Sequence, residues 1–130
     1  MKALSIRQPW ASAIADGIKQ VEIRTWSTEH RGDLLIHASS KYDNNAPLKL
    51  KMRYPEEDCI KRAIVAKTTL LDCMPYKQSD EFKNDAHLHL CPNYWFSNDK
   101  VGWFLFNTTK LDKPITTNGQ LGLWDYAYKV

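Results

Sequence analysis

Lys19, Glu22 and Arg24 stand close together in the string GIKQVEIRTW, with Trp10 and Trp26 on either side. A lysine ammonium meets a phosphate as a point charge, and an arginine guanidinium meets it as a planar two-pronged donor. A carboxylate such as Glu22 accepts from a nucleobase amino group, as acidic side chains do with cytosine. An indole offers a face on which a base or ribose stacks. If a strand runs from Ile18 to Trp26, then Gln20, Glu22, Arg24 and Trp26 share one face, while Val21 and Ile23 point into a core. Lys19 sits at the helix–strand junction, where the pleat does not fix its direction. Spacing alone admits two readings. One is a solvated face whose Glu–Arg pair is worth under about 1 kcal/mol. The other is the wall of a cleft that holds a polar, anionic ligand.

Other residues carry weaker signals. His37 ends the apolar run LLIHA and reads as a hydrogen-bonded core or rim histidine. His87, His89 and Cys91 form HLHLC; on a strand they would share one face, but no fourth zinc ligand is nearby, so no metal site is expected. Cys73 follows a strand and reads as apolar filler. Tyr94, Trp95 and Phe96 are either a stacking platform or packing that closes the fold. Lys41, Lys49, Lys51, Arg53, Lys61 and Arg62 make the middle of the chain basic, as a solvated face or an extended RNA footprint.

The elements that must position these groups follow from periodicity. Ala3–Ile6 alternates and reads as a strand. Pro9 suits the first turn of a helix whose stripe is Trp10, Ala13 and Ile14, and Gly17 suits its left-handed C-terminus. The strand from Ile18 to Trp26 comes next. Residues 34–38 are a strand buried on both faces. Ser39–Arg62 is polar and helix-prone, with a start near Pro47 and a break at Pro55. Ala63–Leu71 is a strand, Asp80–Lys83 a short helix, Val101–Thr109 an aromatic strand, and Leu123–Tyr126 a last strand after a glycine-marked turn. Five or six short strands without a strand–helix rhythm argue against a doubly wound sheet and for a small mixed sheet or barrel.

The 130 residues suit one domain, 1–130, with 43% hydrophobic and 25% charged residues. A net charge of +3 permits nucleic-acid contact without demanding it. Three irregularly spaced cysteines, no secretory leader and no membrane-length apolar run point to a soluble cytosolic protein with reduced thiols.

Three ordered blocks then carry a resemblance: Gln8, Pro9, Trp10 and Ala11; Gly17, Lys19, Glu22 and Arg24; and Arg31, Gly32, Leu34, Ile36, His37 and Ala38. The chain resembles the ASCH domain, the activating-signal-cointegrator homology region, and LLDC (70–73) and GQLGLWDY (119–126) extend the likeness along most of its length. The resemblance implies an α+β fold, a small PUA-like mixed β-barrel with flanking helices. It also implies RNA or a nucleotide-like small molecule as partner, bound in a cleft formed by Lys19, Glu22 and Arg24 and flanked by Trp10, Trp26 and His37, with no cofactor. An alternative is a hydrolase acting on RNA or a modified nucleoside. One branch similar to the family cleaves an acylcytidine amide with a Thr three residues after the motif Lys. Glu22 stands at that place here, so Lys19 and Glu22 would have to be the catalytic pair.

Overall fold

The computed structural model describes residues 1–128. Six strands form one mixed sheet: β1 (Lys2–Gln8), β2 (Val21–Arg24), β3 (Gly32–Tyr42), β4 (Ala63–Pro75), β5 (Val101–Thr116) and β6 (Leu123–Asp125). Their spatial order is β2-β5-β4-β3-β1-β6. β1 and β3 run parallel, in register from Ala3 with Leu35 to Ile6 with Ala38, and the other pairs are antiparallel. The helices are short: α1 (Trp10–Ala15), α2 (Leu48–Arg53), α3 (Ser79–Asn84) and α4 (Ala86–His89). This mixed sheet with flanking helices is the α+β, PUA-like architecture that the sequence implied. Among the described residues no helix is long and apolar enough to cross a membrane.

The sheet curls. The β4–β5 register shifts at three places, and each shift adds twist and bends the strands. The curl brings β2, at one end of the order, back beside β1, near the other. Short β6 pairs only with Lys2–Leu4, so the β1 edge from Ser5 onward is open toward β2. One hydrogen bond crosses the gap, from Arg24 Nη2 to the carbonyl of Ser5 at 2.7 Å.

Burial explains β3. Leu34 and Ile36 face the main core with Leu4, Ile14, Leu70 and Trp103, whereas Leu35 faces a second cluster with Ala3, Ile64 and Trp124. The run LLIHA is therefore apolar on both faces, as expected from its lack of alternation. Helix α1 closes the main core with Trp10, Ala11, Ala13 and Ile14. It stops at Gly17, whose φ of +79° is the left-handed conformation that glycine adopts without a Cβ clash.

The sequence reading departs from the structure in several places, among them β5, which runs on to Thr116 instead of ending at Thr109. The second strand is only Val21–Arg24, because residues 18 and 19 hydrogen-bond back to Ala13 and Thr25–Trp26 already bend away. Residues 39–42, the first part of the stretch read as helix-prone, continue β3 and pair Tyr42 with Gln8, while the helix expected near Pro47 starts at Leu48. Helix α4 takes residues 86–89, so HLHLC is not a strand and its three side chains do not share a strand face. β4 runs on to Pro75, beyond Leu71.

Candidate functional site

The gap between β1 and β2 is a cleft of about 460 Å³. Ser5, Ile6 and Arg7 come from β1, Trp10 from α1, Lys19 from the turn after α1, and Glu22, Ile23 and Arg24 from β2. Asp43, Phe82, Cys91, Trp95 and Lys100 close the remaining sides. The cleft therefore lies where the curled sheet fails to close with backbone hydrogen bonds.

Lys19 is its central feature. The side chain is 1% exposed, yet its ammonium lies on the cleft wall. Nζ donates to the carbonyl of His89 at 2.5 Å, lies 3.7 Å from Glu22 Oε1, and sits 4.6 Å from the centre of the Trp10 ring. The glutamate distance is an ion pair but too long for a hydrogen bond. An ammonium has three N–H donors, so this one keeps donor capacity for a ligand oxygen. Glu22, 7% exposed, is held on its other side by Arg24, whose Nε lies 3.2 Å from Oε2. That N–H is not aligned on the carboxylate: Arg24 Nε is buried without a hydrogen-bond partner among the described residues. The order along the wall is thus cation, anion, cation.

Two tryptophans flank this row. Trp10 is nearly buried, and its Nε1 donates to Asp43 Oδ2 at 2.9 Å. Lys19 already covers its face, so Trp10 holds the ammonium and leaves little ring surface for a ligand. Trp95 packs edge-on to Trp10 at 5.9 Å and is half-buried. Beside it the cleft runs outward past Arg7, Asp43 and Tyr94, the last 84% exposed. Phe96 packs inward against Phe82 at 5.8 Å. Of the aromatic trio, one ring is packed, one lines the cleft and one faces solvent.

The remaining residues named from sequence lie elsewhere. Trp26 is not among the cleft-lining residues. β2 ends at Arg24, so the alternation that would carry Trp26 to the same side stops, and its ring packs edge-on against Trp103 at 4.8 Å. His37 lies beyond Ser5, in a neighbouring pocket that shares Ser5 and Arg24 with the cleft. Its Nε2 donates to the carbonyl of Thr117 at 2.7 Å, which leaves Nδ1 to accept from Ser5 Oγ at 2.9 Å. Burial lowers its pKa from the ordinary 6.5, against the Thr117 carbonyl, which favours the charged ring.

His89 is equally occupied. It donates from Nε2 to the Phe82 carbonyl at 2.7 Å and accepts at Nδ1 from the Cys91 amide at 2.9 Å. Its own carbonyl then orients Lys19. Burial, mainly, pushes the Cys91 thiol up to about 11, so it stands in the cleft as a neutral group rather than a thiolate.

Sequence reading singled out Lys19, Glu22 and Arg24, and the fold brings all three together. It did not single out Ser5, Arg7, Asp43 or Lys100. These reach the cleft from a strand edge and from loops, where no periodicity marks a direction; the polar DNN turn after β3 was the only cue to Asp43.

The comparisons bear on the family and the fold. The chain matches the ASCH domain over residues 4–115. It is similar to activating signal cointegrator 1 from Homo sapiens, 58% identical over 38 residues, which are 29% of this chain and 6% of that protein. The mouse protein of that name is 36% identical over 89 residues, 60% of this chain and 15% of its own length. The chain thus spans a small fraction of these curated relatives. In fold it is similar to the crystal structure of ASCH from Zymomonas mobilis, at TM-score 0.62 and 15% identity, covering 88% of this chain and 72% of that one. A point mutant of the same bacterial protein matches at the same TM-score of 0.62, covering 88% of this chain and 74% of that one.

Proposed function

The chain belongs to the ASCH domain family, and from that premise we propose that the β1–β2 cleft binds RNA or a nucleotide-like ligand. The observation that carries the reading is the buried Lys19 ammonium, held by one carbonyl and one ring and still short of hydrogen-bond acceptors. Lys19 and Arg24 meet the ligand's anionic or carbonyl oxygens. Glu22, between them, accepts from a base amino group. Trp95 supplies the stacking face, a role that the sequence suggested for Trp10 and Trp26 and, as one of two readings, for the Tyr94–Trp95–Phe96 cluster. Arg7 and Lys100 add positive charge at the mouth. The three cysteines are unpaired, in keeping with a reducing, cytosolic setting.

A hydrolytic reading draws on one further observation: Lys19 and Glu22 form a buried pair at 3.7 Å on the cleft wall. In that reading Glu22 takes a proton from water while Lys19 polarises the scissile carbonyl or phosphoryl group.

One experiment separates the two. The purified protein is titrated with short single-stranded RNAs and a panel of plain and acylated nucleosides, binding is followed by tryptophan fluorescence, and products by mass spectrometry. Trp95→Ala should weaken binding by about 1–3 kcal/mol, the usual worth of a base stacked on an aromatic ring. Binding without product supports the binding module. Product that disappears in Glu22→Gln makes the pair catalytic. Full-strength binding by both Lys19→Met and Trp95→Ala would overturn the cleft assignment.

A further inference from the structure

Arg24 and Ser5 form the wall between the cleft and a second pocket of about 510 Å³. The second pocket has a different electrostatic character. The cleft carries Glu22 and Asp43 among its cations, and its outer extension again carries Asp43. Among the described residues the second pocket is lined by Arg24, Lys41 and Arg62 and by no carboxylate. Among the described residues neither Lys41 nor Arg62 enters an ion pair. The cations are carried on defined backbone. Lys41 is at the end of β3, and Arg62, just before β4, accepts at its carbonyl from the Thr117 amide at 3.0 Å. Arg62 is held in the left-handed region at φ 57°, an unfavourable conformation for a side chain of its size. The hydroxyls of Ser39 and Ser40 line the same pocket.

Lys41 and Arg62, without ion-pair partners among the described residues, line one concavity with hydroxyl donors and with Arg24, which Glu22 pairs on the cleft side, and this set suits a phosphate group. A fully ionised phosphate accepts from several donors at once. Arg24 belongs to both pockets, so a ligand whose base and sugar lie in the cleft would bring its next phosphate to the far side of the Arg24–Ser5 bridge.

We propose that the Arg24–Lys41–Arg62 pocket is a phosphate subsite continuous with the cleft, which makes the preferred ligand a phosphorylated strand, single-stranded RNA, rather than a free nucleoside. The proposal rests on the cleft reading for the position of the base, and on the second pocket's own charge for the phosphate.

The test uses Lys41→Ala/Arg62→Gly; glycine at position 62 removes the charge and suits the positive φ, so the fold is spared. Affinity for a short single-stranded RNA and for one nucleoside is measured across a salt series. Each phosphate contact on a single strand contributes about 0.7 to the slope of log affinity on log salt, so losing two should flatten it by about 1.4. The expected result is RNA binding weakened about tenfold or more, a flatter salt slope, and nucleoside binding unchanged. Equal RNA affinity and equal slope in the variant would overturn the subsite. If the variant flattens the RNA slope while Lys19→Met and Trp95→Ala leave RNA and nucleoside binding intact, the phosphate pocket stands and the cleft reading fails. If instead those two variants abolish binding and Lys41→Ala/Arg62→Gly changes nothing, the cleft stands and the subsite falls.

Discussion

At the residue scale, the cleft depends on one buried cation with an unusual set of neighbours. Lys19 is spared the full cost of a desolvated charge by the His89 carbonyl, Glu22 and the Trp10 ring. Lys19→Met keeps much of the side-chain volume but leaves the His89 carbonyl with only the weak Cys91 thiol donor at 3.6 Å and Glu22 with only Arg24. The expected loss of stability is about 1–3 kcal/mol, the cost of a buried acceptor that loses its strong charged donor, read by urea denaturation. Lys19→Arg should not restore ligand binding, because a planar guanidinium does not fit a space shaped around a compact ammonium that is 1% exposed. Wild-type stability in Lys19→Met would show that the ammonium contributes nothing to the fold. Lys19 announced its chemistry in the sequence, but its direction was undetermined there, because the pleat begins only at Val21.

At the element scale, the open β1 edge and the loop before β6 set the geometry. Gly119 presses directly on Ser5 and His37. A Cβ added there would collide with Ser5 Oγ and come within 2.7 Å and 2.8 Å of the His37 ring. Neither neighbour can yield easily, because His37 is fixed between Thr117 and Ser5, and Trp124 Nε1 approaches Ser5 Oγ at 3.2 Å. Gly119→Ala should therefore push the loop outward or break the Ser5–His37 bond, at about 1–3 kcal/mol. A lower melting temperature would report the first effect, and a changed imidazole NMR signal for His37 the second. An alanine variant that matches wild type in both would mean that the loop is free to move. The sequence showed a glycine-marked turn at this place, but no strand or helix period marks what a loop glycine touches.

At the scale of the whole molecule, two buried imidazoles, His37 and His89, link stability to pH. Desolvation lowers both pKa values below the ordinary 6.5, and in each case a backbone carbonyl opposes the shift. The unfolded chain takes up protons near 6.5 while the folded chain resists them to lower pH, so acid favours unfolding. The contribution is complete above about 6.5 and is lost as pH falls below it. Melting temperature should decline between roughly pH 7 and 5, before most carboxylates titrate, and His89→Gln should flatten part of that decline. A level profile across that range would contradict the burial argument. The sequence by itself determined much of the core and most of the strands, because apolar periodicity and buried runs such as LLIHA are local properties of the chain, although Phe106, read as core with Trp103, faces solvent. It also placed Lys19, Glu22 and Arg24 together, since they are neighbours along it. Only the tertiary structure decided that Trp26 packs on Trp103, that Trp95 meets the cleft, and that His37 belongs to a second pocket. The physical reason is that the cleft is a gap left by the curl of a bulged sheet. Which side chains border such a gap depends on where strands end and loops return, and those contacts join residues far apart in sequence.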